Sequence, residues 1–142
     1  MQAVVLSERT EIVIRFNEAD PLGIVWHGNY IRYFEDGREA FGKKYGIKYL
    51  DIFGHDFTAP VVHVDCNYKR SVRYGDSIIV ETRFIDTPAA KLKFEYTIYN
   101  AATQEVVATG SSVQVFLDKE TATLQLINPP FFAEWKQKWG II

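Results

Sequence analysis

Asp20 stands seven residues before His27, separated from it by Pro21, Leu22, Gly23 and the apolar arm Ile24-Val25-Trp26. Gly28, Asn29 and Tyr30 follow and open a helical pattern. A carboxylate before a Pro/Gly turn, with a helix start a few residues on, sets an acid against unpaired backbone N–H groups. The helix start also carries a partial positive charge, which suits an oxygen that becomes negative during a reaction. The competing reading of Asp20 is an Asx turn with Pro21 and Gly23, and that of His27 a helix cap or surface residue. Glu18 lies two residues before Asp20 and would share its side in extended chain. It could raise the proton affinity of Asp20, but a solvated loop acid is the simpler reading.

The elements that position this stretch can be read on either side of it. From Thr10 to Phe16, Ile12, Ile14 and Phe16 alternate with Glu11, Val13 and Arg15, a period of two that predicts a strand delivering Asp20 to a sheet end. Tyr30, Phe34, Gly37, Phe41 and Tyr45 then recur at helical spacing, so an amphipathic helix runs from about Ile31 to Tyr45, with Gly46 as its stop. Gly37 on the apolar stripe implies close approach to a sheet, because glycine costs about 1 kcal/mol against alanine inside a helix. Leu50, Ile52 and Phe53, ended by Gly54, predict a helical turn or loop. Four further strands are predicted at Pro60–Tyr68, Ser77–Ile85, Lys91–Tyr99 and Val106–Leu117. The short links among the later strands argue for antiparallel pairing. A terminal helix follows Asn128-Pro129-Pro130, with Phe131 or Phe132, Trp135 and Trp139 on one stripe. The fold class is therefore α+β: one helix against an antiparallel sheet of about five strands.

Composition narrows the function. The chain of 142 residues reads as a single domain, 1–142. Sixteen basic and eighteen acidic residues give a net charge of -2 with no block of like charge, which argues against a nucleic-acid partner. No apolar run approaches the roughly eighteen residues needed to span a membrane, and the N-terminal residues lack the pattern of a signal peptide. With the single Cys66, a reducing, cytoplasmic setting is expected. Cys66 has no basic partner in sequence and reads as a packed residue. His27, His55 and His63 lack metal-ligand spacing, and there is no serine elbow or phosphate-cradling glycine loop.

The segment Arg15-Phe16-Asn17-Glu18-Ala19-Asp20-Pro21-Leu22-Gly23-Ile24-Val25-Trp26-His27-Gly28-Asn29-Tyr30, with Tyr33-Phe34-Glu35 and Arg38, resembles the signature of the 4-hydroxybenzoyl-CoA thioesterase family. The resemblance implies a hotdog fold, a long helix wrapped by a curved antiparallel sheet. It further implies homo-dimers or homo-tetramers whose dimers join sheets edge to edge, with sites at the subunit interface. The implied activity is hydrolysis of an acyl-CoA thioester to a free acid and CoA. Asp20 matches the family's loop aspartate, which serves as nucleophile or general base. His27 matches the position whose backbone N–H holds the thioester oxygen; one such donor in a water-excluded site is worth about 3 kcal/mol of barrier.

Gly28 and Tyr30 join this site as substrate-binding candidates. The strand Pro60–Tyr68 is expected to contribute to a neighbouring subunit's acyl pocket, with Thr58, His63 and Asn67 as polar candidates. For the CoA phosphates, Lys91 and Lys93 lead a set that includes Lys69, Arg70 and Arg73, although a paired Arg-Arg is lacking at Lys91. No metal or redox cofactor is required. The acyl group stays open among aryl, short-chain and longer groups, and the carrier between CoA and acyl carrier protein. Two other classes compete: a hotdog module that binds an acyl thioester or a partner protein without cleaving it, and a hotdog hydratase. The latter lacks an evident acid/base pair suited to a double bond.

Overall fold

Seventeen residues, Asn29–Tyr45, form the long helix α1, starting two residues before the predicted Ile31. It ends at Gly46, which takes the left-handed conformation at φ 73° and returns its N–H to the Gly42 carbonyl. Tyr30, Tyr33, Phe34, Gly37, Phe41 and Tyr45 make its buried face. In this computed structural model, which describes residues 5–142, the first four residues of the expected domain lie outside the described residues.

The strands are β1 (Ser7–Val13), β2 (Phe57–Thr58), β3 (Val61–Tyr68), β4 (Ser77–Ile85), β5 (Lys91–Asn100), β6 (Val106–Val115) and β7 (Leu117–Asp118). Five form one sheet in the order β1-β4-β5-β6-β3, and β2 pairs with β7 apart from it. Every pairing is antiparallel. With α1 across one face, the chain has the expected hotdog architecture of class α+β. Leu92, Phe94, Tyr96 and Ile98 of β5 are buried, as their alternation predicted. Phe34 stacks on Tyr96 at a ring separation of 4.5 Å, and Phe41 meets Phe94 edge to face at 5.0 Å. Each such buried aromatic contributes roughly 1.5–3 kcal/mol. Gly37 brings α1 close to β4: a Cβ there would lie 2.5 Å from Thr82 Oγ1 and 2.7 Å from Val80 Cγ1.

Two short helices complete the chain. The segment predicted as a turn or loop is helix α2 (Tyr49–Gly54). Helix α3 (Pro130–Lys138) buries Phe132 and Trp135. The indoles of Trp135 and Trp139 both donate to the Tyr45 carbonyl, at 2.7 and 3.0 Å, so α3 caps the C-terminal end of α1. Lys136 is also buried there, and its ammonium donates to Asp86 Oδ1 at 2.6 Å and to the Thr87 carbonyl at 3.1 Å. Among the described residues, no helix is long and apolar enough to cross a membrane.

The first predicted strand is displaced. The strand expected at Thr10–Phe16 occupies Ser7–Val13. Ile14 leaves the ladder yet stays buried, bonded to the main chain of Asp76 and Gly75. Phe16 is 78% exposed, because Phe16–Glu18 coils into a 3-10 turn and directs the ring edge to face against Tyr74. The strand Val106–Leu117 likewise divides into β6 and β7.

Candidate active site

The arm from Glu18 to Trp26 is a small hairpin. Ala19 bridges Val25, and Ile24 bridges Arg73. Asp20 receives the Gly23 N–H on its carbonyl at 2.9 Å and donates its own N–H to Ile24 at 2.8 Å. Gly23 sits at φ 80°, where a side chain would be strained. The Asp20 side chain makes the Asx turn, Oδ1 accepting the Leu22 N–H at 2.8 Å. That bond uses one carboxylate oxygen; Oδ2 has no hydrogen-bond partner among the described residues. The turn and a chemical role are therefore compatible, since the turn orients an acid that keeps a free oxygen.

Glu18 is not a solvated loop acid: it is 7% exposed. Its Oε1 accepts the Arg15 N–H at 2.7 Å, and its main-chain carbonyl accepts the Trp26 N–H at 3.0 Å and Asn29 Nδ2 at 2.9 Å. The Tyr33 hydroxyl faces this buried carboxylate without reaching hydrogen-bond geometry. Burial, then the Glu18 charge, raises the Tyr33 pKa above the ordinary tyrosine range. Glu18 thus ties the strand end to the start of α1.

At that start the Trp26 carbonyl accepts the Asn29 N–H at 2.9 Å, and the His27 carbonyl accepts the Tyr30 N–H at 3.4 Å. The His27 and Gly28 N–H groups have no backbone acceptor among the described residues. In a trans peptide the carbonyl and the following N–H point in opposite directions. Because both carbonyls are turned into the helix, both amides point outward from its N-terminus, where a developing negative charge is stabilised. Gly28 has an ordinary helical φ of −67°. Its missing side chain serves space instead, because a Cβ would overlap the Trp26 ring.

His27 and Tyr30 line one groove with Ile24, Val25, Tyr68 and Lys69. Asp20 lines another with Phe16, Asn17, Ala19, Arg73 and Tyr74. Within one chain the hairpin joins these grooves without merging them. Tyr30 is pushed up to about 12, mainly by burial and then by Cys66 and Tyr68, so it remains a neutral phenol at neutral pH. The remaining candidates lie elsewhere. Thr58 pairs with Leu117 in the β2–β7 ribbon. His63, exposed on β3, has Nε2 3.3 Å from Asp65 Oδ2. Lys91 and Lys93 sit where β5 begins, opposite Val115 and Val113, at the sheet end away from His27. Tyr68, bonded to His27, lies level with Ala108 and Ile98, which puts Lys91 and Lys93 roughly 16–23 Å away along the sheet.

Sequence reasoning passed over Tyr68, whose hydroxyl donates to the His27 carbonyl at 2.9 Å. It also passed over the back-reaching side chain of Asn29. Glu18 did carry a local signal: an acid three residues after Arg15 can bond the Arg15 N–H and stop a short turn. The Tyr68 contact spans 41 positions and has no local signature.

An antiparallel sheet wrapped around a long helix defines a hotdog protein. The family model described as the thioesterase-like superfamily matches residues 14–139, and the chain belongs to that family of thioester hydrolases. YneP of Bacillus subtilis (strain 168), provisionally named an acyl-CoA thioesterase, is 35% identical over 113 residues, spanning 80% of this chain and 81% of that protein. The DHNA-CoA thioesterase from Staphylococcus aureus superposes with a TM-score of 0.83 at 28% identity, covering 93% of this chain and 89% of its own. A 4-hydroxybenzoyl-CoA thioesterase mutant in complex with 4-hydroxybenzoyl-CoA shares the fold, with a TM-score of 0.78 at 19% identity over 92% of this chain and 98% of that one.

Proposed function

We propose that this chain is a single-domain acyl-CoA thioesterase, with Asp20 as nucleophile or general base and the helix-start amides at His27 and Gly28 polarising the thioester carbonyl. The observation that carries this reading is that one hairpin holds a carboxylate with a free oxygen at its tip and leads, past its return arm, into two outward amides. Hydrolysis breaks the carbon–sulfur bond and joins a water-derived hydroxyl to the acyl carbon. As base, Asp20 takes the water proton; as nucleophile, it forms a mixed anhydride that water then opens. No metal or redox cofactor enters either route. The names of the relatives support an acyl-CoA substrate, and the single Cys66 suits a reducing, cytoplasmic setting.

The working unit in this reading is a homo-oligomer built on a homo-dimer. Strand β3 ends the five-stranded sheet and is exposed on both faces, including Val61, Val62 and Val64. Such an unpaired edge accepts a second strand. Antiparallel pairing with a second copy about a two-fold axis sets the His27 end of one sheet beside the far end of the other. That far end carries Thr58, Lys91 and Lys93, with His63 nearer the middle of the edge. The dimer therefore joins candidates that one chain keeps apart.

Free-thiol release from acetyl-, octanoyl- and benzoyl-CoA tests the activity, and Asp20→Asn tests the acid. Loss of most hydrolysis with an unchanged melting temperature is expected. Activity retained within about tenfold, roughly 1.4 kcal/mol of barrier, would remove Asp20 from the chemistry. Tight acyl-CoA binding by the wild type with no thiol release would make the chain a binding module.

A further inference from the structure

The His27–Gly28 peptide is held from outside its own helix. Its carbonyl oxygen accepts the Tyr68 hydroxyl at 2.9 Å, closer than the local Tyr30 N–H at 3.4 Å. Tyr68 is the last residue of β3, so the contact fastens the edge of the sheet to the N-terminus of α1. A planar trans peptide converts a pull on the carbonyl into an aim for the following N–H. The Gly28 N–H consequently points opposite to the carbonyl that Tyr68 holds.

We propose that Tyr68 is a positioning residue for the thioesterase reaction: its hydroxyl sets the plane of the His27–Gly28 peptide and aims the Gly28 N–H, as a second donor beside that of His27, at the thioester oxygen. The inference rests on the thioesterase reading of the same site. Tyr68 acts through the peptide and does not touch the reacting atoms. Burial and the neighbouring Cys66 thiol raise its pKa, so the phenol keeps the proton it donates. Packing is separable from this function. The Tyr68 ring meets Tyr30 edge to face at 5.0 Å and His27 at 6.3 Å, contacts that phenylalanine would preserve.

The test is Tyr68→Phe in the full chain, assayed by free-thiol release from acetyl-, octanoyl- and benzoyl-CoA. The expected result is a kcat lowered tenfold or more, with KM and melting temperature essentially unchanged. A second readout is the carbonyl stretch of benzoyl-CoA bound to Asp20→Asn protein. The stretch should fall below its value in water, and the fall should shrink when Tyr68→Phe is added. Wild-type kcat in Tyr68→Phe, or a rise in KM alone, would reduce Tyr68 to a packing residue and overturn the inference. If the wild type cleaves none of the three thioesters, the thioesterase reading itself fails and this inference with it. Activity surviving Asp20→Asn would remove only the acid and leave the Tyr68 comparison valid.

Discussion

Asn29, in the first turn of α1, reaches back eleven residues and donates its side-chain N–H to the main-chain carbonyl of Glu18 at 2.9 Å. The same carbonyl holds the Trp26 N–H, so one oxygen fixes the acid-bearing arm and the helix start together. Both Glu18 and Asn29 are buried, and an unmet donor or acceptor there costs about 1–3 kcal/mol.

Asn29→Ala removes this clamp while leaving Asp20 and the His27 amide in place. The expected outcome is a melting temperature lowered by roughly 2–10 °C, with kcat/KM reduced at least about tenfold. Thermal unfolding and steady-state hydrolysis measured on the same preparation check it. A change in stability alone would confine Asn29 to the fold.

Asp36, one residue before Gly37 on α1, has its pKa raised first by desolvation and then by the charges of Glu18 and Glu35. In this case the folded protein holds the proton more tightly than the unfolded chain. Stability therefore falls as pH rises from the ordinary carboxylate value, about 3.9, through the raised folded value. Asp36→Asn removes that loss, so the variant should be slightly more stable than the wild type at pH 7, the gain kept small by the solvent exposure of Asp36. Its advantage should fade on acidification below about pH 4. Urea midpoints across pH check the sign, which a constant difference would contradict.

Val64 lies near the middle of the exposed edge strand and is 40% exposed. A lysine there would blunt edge-to-edge pairing without entering the core. Val64→Lys should sediment as a monomer, retain its circular dichroism spectrum and lose at least about tenfold in activity. A fully active monomer would show that one chain holds a complete site.

Local patterns carried most of the architecture. Leu92, Phe94, Tyr96 and Ile98 alternate because only one face of β5 meets α1, and Gly37 marks the point where the helix touches Val80 and Thr82. The same logic misplaced Phe16, since alternation cannot reveal that Ile14 leaves the ladder before the 3-10 turn begins. The Asp20 turn and the open helix start were legible in residue types. Tyr68 was not, because its contact with His27 spans 41 positions; Asn29 was missed because its side chain reaches back to a main-chain carbonyl, and Glu18 because its local turn signal does not by itself reveal burial. The use of Gly28 was also hidden: its need is for the space taken by the Trp26 ring, not for an unusual backbone angle.

The three tryptophans of the chain divide between the two ends of α1. Trp26 covers Gly28 at the N-terminus, while Trp135 and Trp139 share the Tyr45 carbonyl at the C-terminus. Intrinsic fluorescence is therefore a two-ended optical probe of a single helix. Emission from half-exposed Trp26 should respond to whatever enters the groove beside it. The indole pair, bonded to the main chain at the other end, should change only when α3 releases the helix.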